Sequence, residues 1–413
     1  MKNEQKVLLM VLAIGAIIRF ATVIVLDIEP TSDYMAYMKM TTSMLNTGVM
    51  VDDSGNKAFY SSGYPLFLVP FFLVFGNSAE VAQFVNAVLG VFSVFLVYLC
   101  SKQIICNWKW AMIPAMLWAT YPPAILYTEY IAKENLMVPL LLFQTFILLC
   151  YIKSDHRNRL SMLLGLIFGA ELLVGPAVIL TALLIALVVT GFTKKPVLKE
   201  LLFLPILTLV FGSMVVLTPW LSYTNVQLGT PILNNNGGFN LYLGNNPNAK
   251  VGFVGIQDTP MGKHWHALRK EKGEVESFSI LKKKAIDYIF ENPLRTAWMS
   301  LAKITYFWMP PIHKGKNGDQ SLLETLMRIV WLFYYVAIIG SALLSLVFFK
   351  KFKQGHYIIL VTVVLYCVIH AAAYIIFRYR IPVMPFLCIL AVIGVRFFYL
   401  SRRVPYLSVA KIR

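Results

Sequence analysis

The sequence predicts an all-α polytopic membrane protein, a bundle of about ten transmembrane helices with two large segments on one face that carry interfacial helices. Three observations carry that prediction. Of the 413 residues, 58% are hydrophobic and only 14% charged, and the mean hydropathy is +0.68, outside the range of soluble domains. Apolar runs of about 20 residues, the length that a spanning helix needs, recur along most of the chain. The net charge of +17 is gathered mostly in short loops between those runs, where Lys and Arg set topology and contact anionic lipid. Nucleic acid is not needed as a partner to account for it.

The spans fall near 7–26, 80–101, 110–127, 135–152, 160–174, 176–192, 200–219, 324–349, 356–376 and 381–400. With the N-terminus in the cytoplasm, Lys102, Lys109, Lys153, Arg157, Arg159, Lys194, Lys195 and Lys199 all fall in cytoplasmic loops. The same holds for Lys350, Lys351 and Lys353, and Arg402, Arg403, Lys411 and Arg413 form a basic cytoplasmic tail. This pattern obeys the positive-inside rule and places the protein in the cell membrane with both termini cytoplasmic. The first run follows Lys2 and Lys6 and has no small-residue cleavage site, so it reads as a retained helix.

Two apolar segments stay out of the count. Tyr64 to Phe75 is too short to span and has Pro at Pro65 and Pro70, which suits a half-inserted helix. Trp298 to Met309 mixes Trp and Tyr with an embedded Lys303, as in a helix lying at headgroup level. Counting either would invert the later loops. The chain then divides into an N-terminal transmembrane core, 1–220, which includes a first outer loop at 27–77. An outer cap with its interfacial helix follows at 221–323, and C-terminal helices with the tail at 324–413. Within the cap, Gly-, Asn- and Pro-rich turns precede a charged helical stretch from Gly262 to Phe290.

The residues able to do chemistry gather on the outer side. Asp33 opens a short helix after Ile28-Glu29-Pro30-Thr31-Ser32; it is either an N-cap, with Ser32, or a functional acid kept at a costly depth. Tyr37 lies one turn on, and Met38, Met44 and Leu45 give that helix an apolar side. Glu129, Lys133 and Glu134 share a tight outer turn and form either a second wall of a site or a solvated connection. Glu171 sits within a span, where it must be paired, protonated or turned toward water. Arg19 lies inside the first span and either snorkels outward or pairs with an acid. Arg378 and Arg380 stand on the side where orientation signals are not expected, and suit a phosphate arriving from the headgroup layer. His264 and His266 flank Trp265, but no acid stands beside them at ligand spacing, so a divalent metal stays unassigned. No pair of the five cysteines has zinc-ligand spacing and none lies in an outer loop, so neither disulfides nor a Cys-ligated metal are expected. No P-loop occurs.

A membrane-level carboxylate, a second acidic turn and outer arginines describe a site that takes a lipid phosphate from the membrane and a polar acceptor from outside. Such a site suits group transfer, with the carboxylate as base and the arginines on the leaving phosphate. Two other readings stand beside it: a transporter or flippase of a lipid-linked saccharide, and a polymerase or ligase using polyprenyl-diphosphate oligosaccharides. The first predicts related halves and ionisable groups near the midplane, whereas here the halves look unrelated and the informative residues gather at one face.

Five stretches also carry a family resemblance: Ser32-Asp33 with Tyr37, SGYPLFLVPFFLVFG (Ser62 to Gly76), YPPAILYTEYIAKENL (Tyr121 to Leu136), TPW through NNGGFNLYLGNNPNA (Thr218 to Ala249), and FRYRIPVMPFL (Phe377 to Leu387). Together and in this order they resemble the GT-C membrane glycosyltransferases, specifically the bacterial relatives of the protein O-mannosyltransferases and of the lipid A aminoarabinose transferase. The resemblance covers nearly the whole chain and implies an inverting enzyme that draws a sugar from a polyprenyl-phosphate donor on the extracytoplasmic face. Its acceptor would be a protein, a lipid or an envelope glycan. It implies Asp33 as general base, Glu134 rather than Glu129 as the second acid, and Arg378 or Arg380 as the late arginine. Beside what the resemblance implies, the residues themselves assign Tyr37 and Lys133, with Glu129 and Glu134, to the acceptor wall, and Lys303 and Arg19, with Arg378 and Arg380, to the donor phosphate. One departure stands out: many relatives have Arg-Pro where this chain has Gly175-Pro176.

Overall fold

The computed structural model describes residues 3–26, 28–191, 199–310 and 322–403; Lys2, Asp27, Lys194, Lys195, Lys411 and Arg413 lie outside them. Among the described residues there is no strand. The first half of the chain forms α1 (Asn3–Val25), α2 (Asp33–Thr47), α3 (Gly63–Phe75), α4 (Ala79–Ile104), α5 (Trp108–Ala119), α6 (Pro122–Leu126), α7 (Glu134–Tyr151), α8 (Arg157–Val174) and α9 (Thr181–Gly191). The second half forms α10 (Lys199–Leu228), α11 (Asn236–Gly244), α12 (Trp265–Glu291), α13 (Pro293–Trp308), α14 (Leu322–Val347), α15 (Gln354–Ala371) and α16 (Met384–Arg403).

Seven of the described helical segments are long and apolar enough to cross a membrane: α1, α4, α7, most of α10, most of α14, α15, and residues 377–402 around α16. This is a multi-pass membrane protein. The other three expected spans are covered by shorter or more charged helices, for reasons visible in the sequence. The helix expected over 110–127 ends at Ala119 because Pro122 and Pro123 cannot continue its hydrogen-bond ladder, and α6 restarts on them. Pro176 opens a 3-10 turn, so the run at 176–192 yields only α9. Conversely α10 absorbs Pro205 and Pro219 and continues to Leu228, past the expected end near 219.

Local chemistry sets several ends. The Ser78 hydroxyl accepts from Val81 N at the start of α4, and Asn107 Oδ1 accepts from Lys109 N and Trp110 N at the start of α5; each satisfies amides that a helix leaves orphaned. The tightest seam joins α8 to α10. A Cβ on Gly165 would collide with the Leu209 carbonyl, and one on Gly212 would lie 2.5 Å from the Met162 carbonyl. Only hydrogen fits there, which lets two backbones approach as small residues do between helices in lipid.

The segments outside the bundle fold onto one another. Tyr242, Trp265, Phe278 and Leu281 make a small core for the cap, joined by Phe59 from the loop between α2 and α3. Glu274 fastens the two segments: its carboxylate accepts from Lys57 N at 2.8 Å, Ala58 N at 2.9 Å and Asn235 Nδ2 at 3.1 Å. The expected charged helix is α12, kinked at Gly273 where φ is 68°. The expected interfacial helix is α13, with Leu294, Trp298 and Leu301 exposed on one side and Lys303 and Phe307 buried on the other.

Candidate active site

Asp33 is the first residue of α2, and the backbone just before it is strained. Ser32 has φ 54°, the only positive φ of a non-glycine residue among those described, a conformation that costs on the order of 1–3 kcal/mol and tends to be kept at functional sites. Ser32 makes no side-chain cap bond, and the Asp33 carboxylate is spent on tertiary partners, so the capping alternative does not describe this helix start. Tyr60 donates to Asp33 Oδ1 at 3.2 Å, and Arg378 forms an ion pair with Oδ2. Burial, reinforced by Asp33, pushes the Tyr60 phenol up, which keeps it a hydrogen donor.

Arg378 is the hub. Besides Asp33, its Nη1 donates to the Tyr34 hydroxyl at 3.2 Å and its Nε lies 3.6 Å from Glu134 Oε1. The guanidinium also sits over the rings of Tyr34 and Tyr379 at 5.6 Å and 6.0 Å. Residues far apart in sequence are thus joined: Asp33 from α2, Glu134 from the start of α7, and Arg378 from the 3-10 segment Phe377–Val383. Glu134 is almost fully buried, whereas Asp33 and Arg378 keep partial access to solvent.

On the far side of this hub opens a cavity of about 260 Å³. Lys133, Glu134 and Gly175 line one side, Asn240 from the cap another, and His370 and Tyr379 a third. Burial lowers the Lys133 ammonium from its ordinary value, opposed by the adjacent Glu134 carboxylate. Tyr37 is buried behind Asp33, edge-on to Tyr60 and Tyr64.

The structure therefore brings together Asp33, Tyr37, Lys133, Glu134 and Arg378. Four other expected residues lie elsewhere, and each has a local reason. Arg19 is buried among α1, α4 and α5, where it donates to Ala119 O at 2.9 Å and Trp118 O at 3.3 Å; it neutralises the carbonyl end of α5 and packs against the bare Gly90. Lys303 donates to Gly244 O at 2.9 Å, tying α13 to the end of α11. Arg380 donates to Met309 O at 2.8 Å and to the Tyr335 hydroxyl at 3.2 Å, with its guanidinium 4.6 Å from the Tyr335 ring centre. Glu129 is buried, and its carbonyl accepts from Gln83 Nε2. Glu171 is buried in α8, its carboxylate without a hydrogen-bond partner among the described residues. His264 and His266 are exposed, and the described residues hold no group of three His, Cys, Asp or Glu that could grip a metal.

Sequence reasoning missed the cap's contribution. Asn234, Asn236 and Asn240 line the cavity, yet their run enters the sequence reading only as Gly-, Asn- and Pro-rich turns and as part of a resemblance, with no site role for any of the three. Their amides in a Gly-rich loop were the available signal. Tyr60 and His370 gave none, because an isolated Tyr or His in an apolar context is ordinarily a packing residue.

Residues 63–223 match the family model for dolichyl-phosphate-mannose-protein mannosyltransferase. An archaeal oligosaccharyltransferase, AglB from Archaeoglobus fulgidus, solved with an inhibitory peptide and a dolichol-phosphate, superposes with a TM-score of 0.53 at 13% identity, over 100% of this chain and 52% of its own. The apo form of the oligosaccharyltransferase from the same organism gives 0.55 at 12% identity, over 97% and 51%. The chain has the GT-C glycosyltransferase fold. It spans about half the length of those two structures. ArnT from Cupriavidus metallidurans bound to undecaprenyl phosphate is also similar, at a TM-score of 0.48 and 11% identity, over 93% of this chain and 77% of that one. No curated protein sequence matches significantly. Within the GT-C fold, the family match covers α3 through most of α10, and so includes Lys133 and Glu134 but neither Asp33 nor Arg378.

Proposed function

We propose that the protein is an inverting membrane glycosyltransferase that moves a sugar from a polyprenyl-phosphate donor to an acceptor on the extracytoplasmic face. The observation that carries the reading is the convergence of Asp33, Arg378 and Glu134 beside a cavity roofed by the cap. The dolichol-phosphate held by the structurally similar oligosaccharyltransferase supports a lipid phosphate as the donor's leaving group.

In this mechanism the acceptor oxygen attacks the anomeric carbon from the side opposite the phosphate. The carbon–oxygen bond to the phosphate breaks as the new one forms, and the phosphate oxygen leaves with the electron pair. Asp33 takes the acceptor's proton, oriented by the Tyr60 hydroxyl. Arg378 offers its charge to the departing phosphate, a step that draws it away from Asp33 and frees that carboxylate as a base. Donor binding and base activation are then linked through one guanidinium. The acceptor is a protein, a lipid or an envelope glycan, and the basic loops support a reading with both termini in the cytoplasm.

The decisive experiment is sugar transfer by purified protein in detergent, given a polyprenyl-phosphate sugar and a cell-envelope acceptor fraction. Asp33→Asn is expected to lower turnover by about 10²–10⁴-fold while the protein remains folded. Turnover at the unaltered rate by that variant sinks the assignment.

A further inference from the structure

We infer that Lys133 is the anion-binding residue of the cavity and takes a phosphate oxygen of the polyprenyl phosphate, in space left free by the missing side chain at Gly175. The proposed transfer reaction supplies the identity of the anion; the binding site itself rests on the geometry of this chain.

The charge inventory around the cavity makes the first argument. One guanidinium, Arg378, faces two carboxylates, Asp33 and Glu134, and gives a hydrogen bond to Tyr34 as well. With both acids ionised, that trio carries a net negative charge and would repel a phosphate. Lys133 lines the cavity beside them, and its ammonium makes no hydrogen bond among the described residues. It therefore brings both the charge that offsets the trio and three unused donors. An ammonium in this condition is suited to an anion that enters and leaves, since nothing in the protein must be broken to receive it.

The second argument is space. Gly175 lies just past α8 in extended backbone, with φ −171°, so its conformation does not require glycine. Its bareness serves packing instead. A Cβ there would stand 3.2 Å from Met137 Cε, 3.6 Å from Lys133 Nζ and 3.9 Å from Lys133 Cε. The lysine stem thus runs across the bare Cα, and a long side chain at 175 would compete for the place of the ammonium. Lys133 is also the residue before α7, where its side chain makes no capping bond and is free to face the cavity. The positive end of the α7 dipole lies on the same side.

The test uses the full chain in detergent and measures direct binding of a polyprenyl monophosphate, with the matching polyprenol and phosphatidic acid as controls. No sugar or acceptor is present, so the result is separable from failure of the transfer reading. Wild type is expected to prefer the polyprenyl monophosphate over both controls. Lys133→Met, which keeps the packing of the stem, is expected to lose about tenfold or more in affinity, equivalent to about 1.4 kcal/mol, while Lys133→Arg keeps most of it. Adding Gly175→Arg to Lys133→Met should recover part of the loss, because the new cation occupies vacated space. Unchanged affinity in Lys133→Met overturns the inference, and equal binding of phosphatidic acid overturns the identification of the anion. If Lys133→Met does not fold, the same comparison in Lys133→Gln decides it.

Discussion

Replacing Arg378 with Ala should unbalance two carboxylates at once, and the size of the effect follows from their surroundings. The pair with Asp33 keeps side-chain exposures of 20% and 29%, so screening limits its worth to about 1 kcal/mol. Glu134 is a different case. Its side chain is only 6% exposed, and stripping a buried carboxylate of its counter-charge costs about 3 kcal/mol, reduced in part by Lys133 nearby. Arg378→Ala should therefore destabilise the protein by about 2–4 kcal/mol. Most of that penalty belongs to Glu134, so adding Glu134→Gln should restore at least half of it, whereas adding Asp33→Asn should restore little. Thermal unfolding in detergent, followed by tryptophan fluorescence for the three variants, reads the difference. A melting temperature for Arg378→Ala equal to wild type, or rescue by Asp33→Asn instead of Glu134→Gln, refutes the reasoning.

Three further outcomes are expected. Glu274→Ala leaves two backbone amides and the Asn235 side chain without their acceptor, at a cost of about 2–4 kcal/mol; faster limited proteolysis within residues 50–60 and 229–262 is the readout, and an unchanged cleavage pattern contradicts it. Burial pushes the Lys303 ammonium down to about 8, below its unfolded value. The folded state then gives up its proton first, so stability is lowest below pH 8 and rises as the pH moves from 8 toward 10.5; Lys303→Met should flatten that rise, and an identical pH profile in the variant argues against it. Arg380→Ala removes charge-assisted bonds to Met309 O and Tyr335 together with its ring contacts, and should lower stability by about 2–4 kcal/mol; a melting temperature equal to wild type in detergent counts against that role.

How far the site could be read from sequence depended on how much local pattern fixed direction. Asp33 stood out because a charge beside hydrocarbon is costly and is kept for a use, Arg378 because it stands on the side where orientation signals are not expected, and the structure joins them. Arg380 carried the same signal but points elsewhere. In a 3-10 helix of about three residues per turn, positions two apart face different ways; here Arg378 meets Asp33 while Arg380 meets the end of α13. The amphipathic pattern of 298–309 was legible, but Lys303 falls on its inner side, where a partner 59 residues away decides its role. Arg19 was visible as an intramembrane charge, yet the carbonyls that claim it come from α5, 99 and 100 residues distant. The helical, multi-pass character was legible from apolar runs, and the lengths of the individual helices were not. Pro122 and Pro176 cut helices short while Pro219 was absorbed, a choice made by packing rather than by proline alone.

The glycine seam between α8 and α10 makes tolerance to substitution lopsided around a single helix. On the lipid-facing flank of α10, Phe203 and Phe211 stand largely exposed, and exchanging them for other apolar side chains alters only which atoms meet hydrocarbon tails. At Gly165 and Gly212, a single added methyl group must pry two backbones apart. Since α8 ends beside Gly175 on the cavity wall, a backbone shift forced at the seam is carried along one rigid helix toward the cavity, which makes these two glycines the positions where a small change reaches farthest.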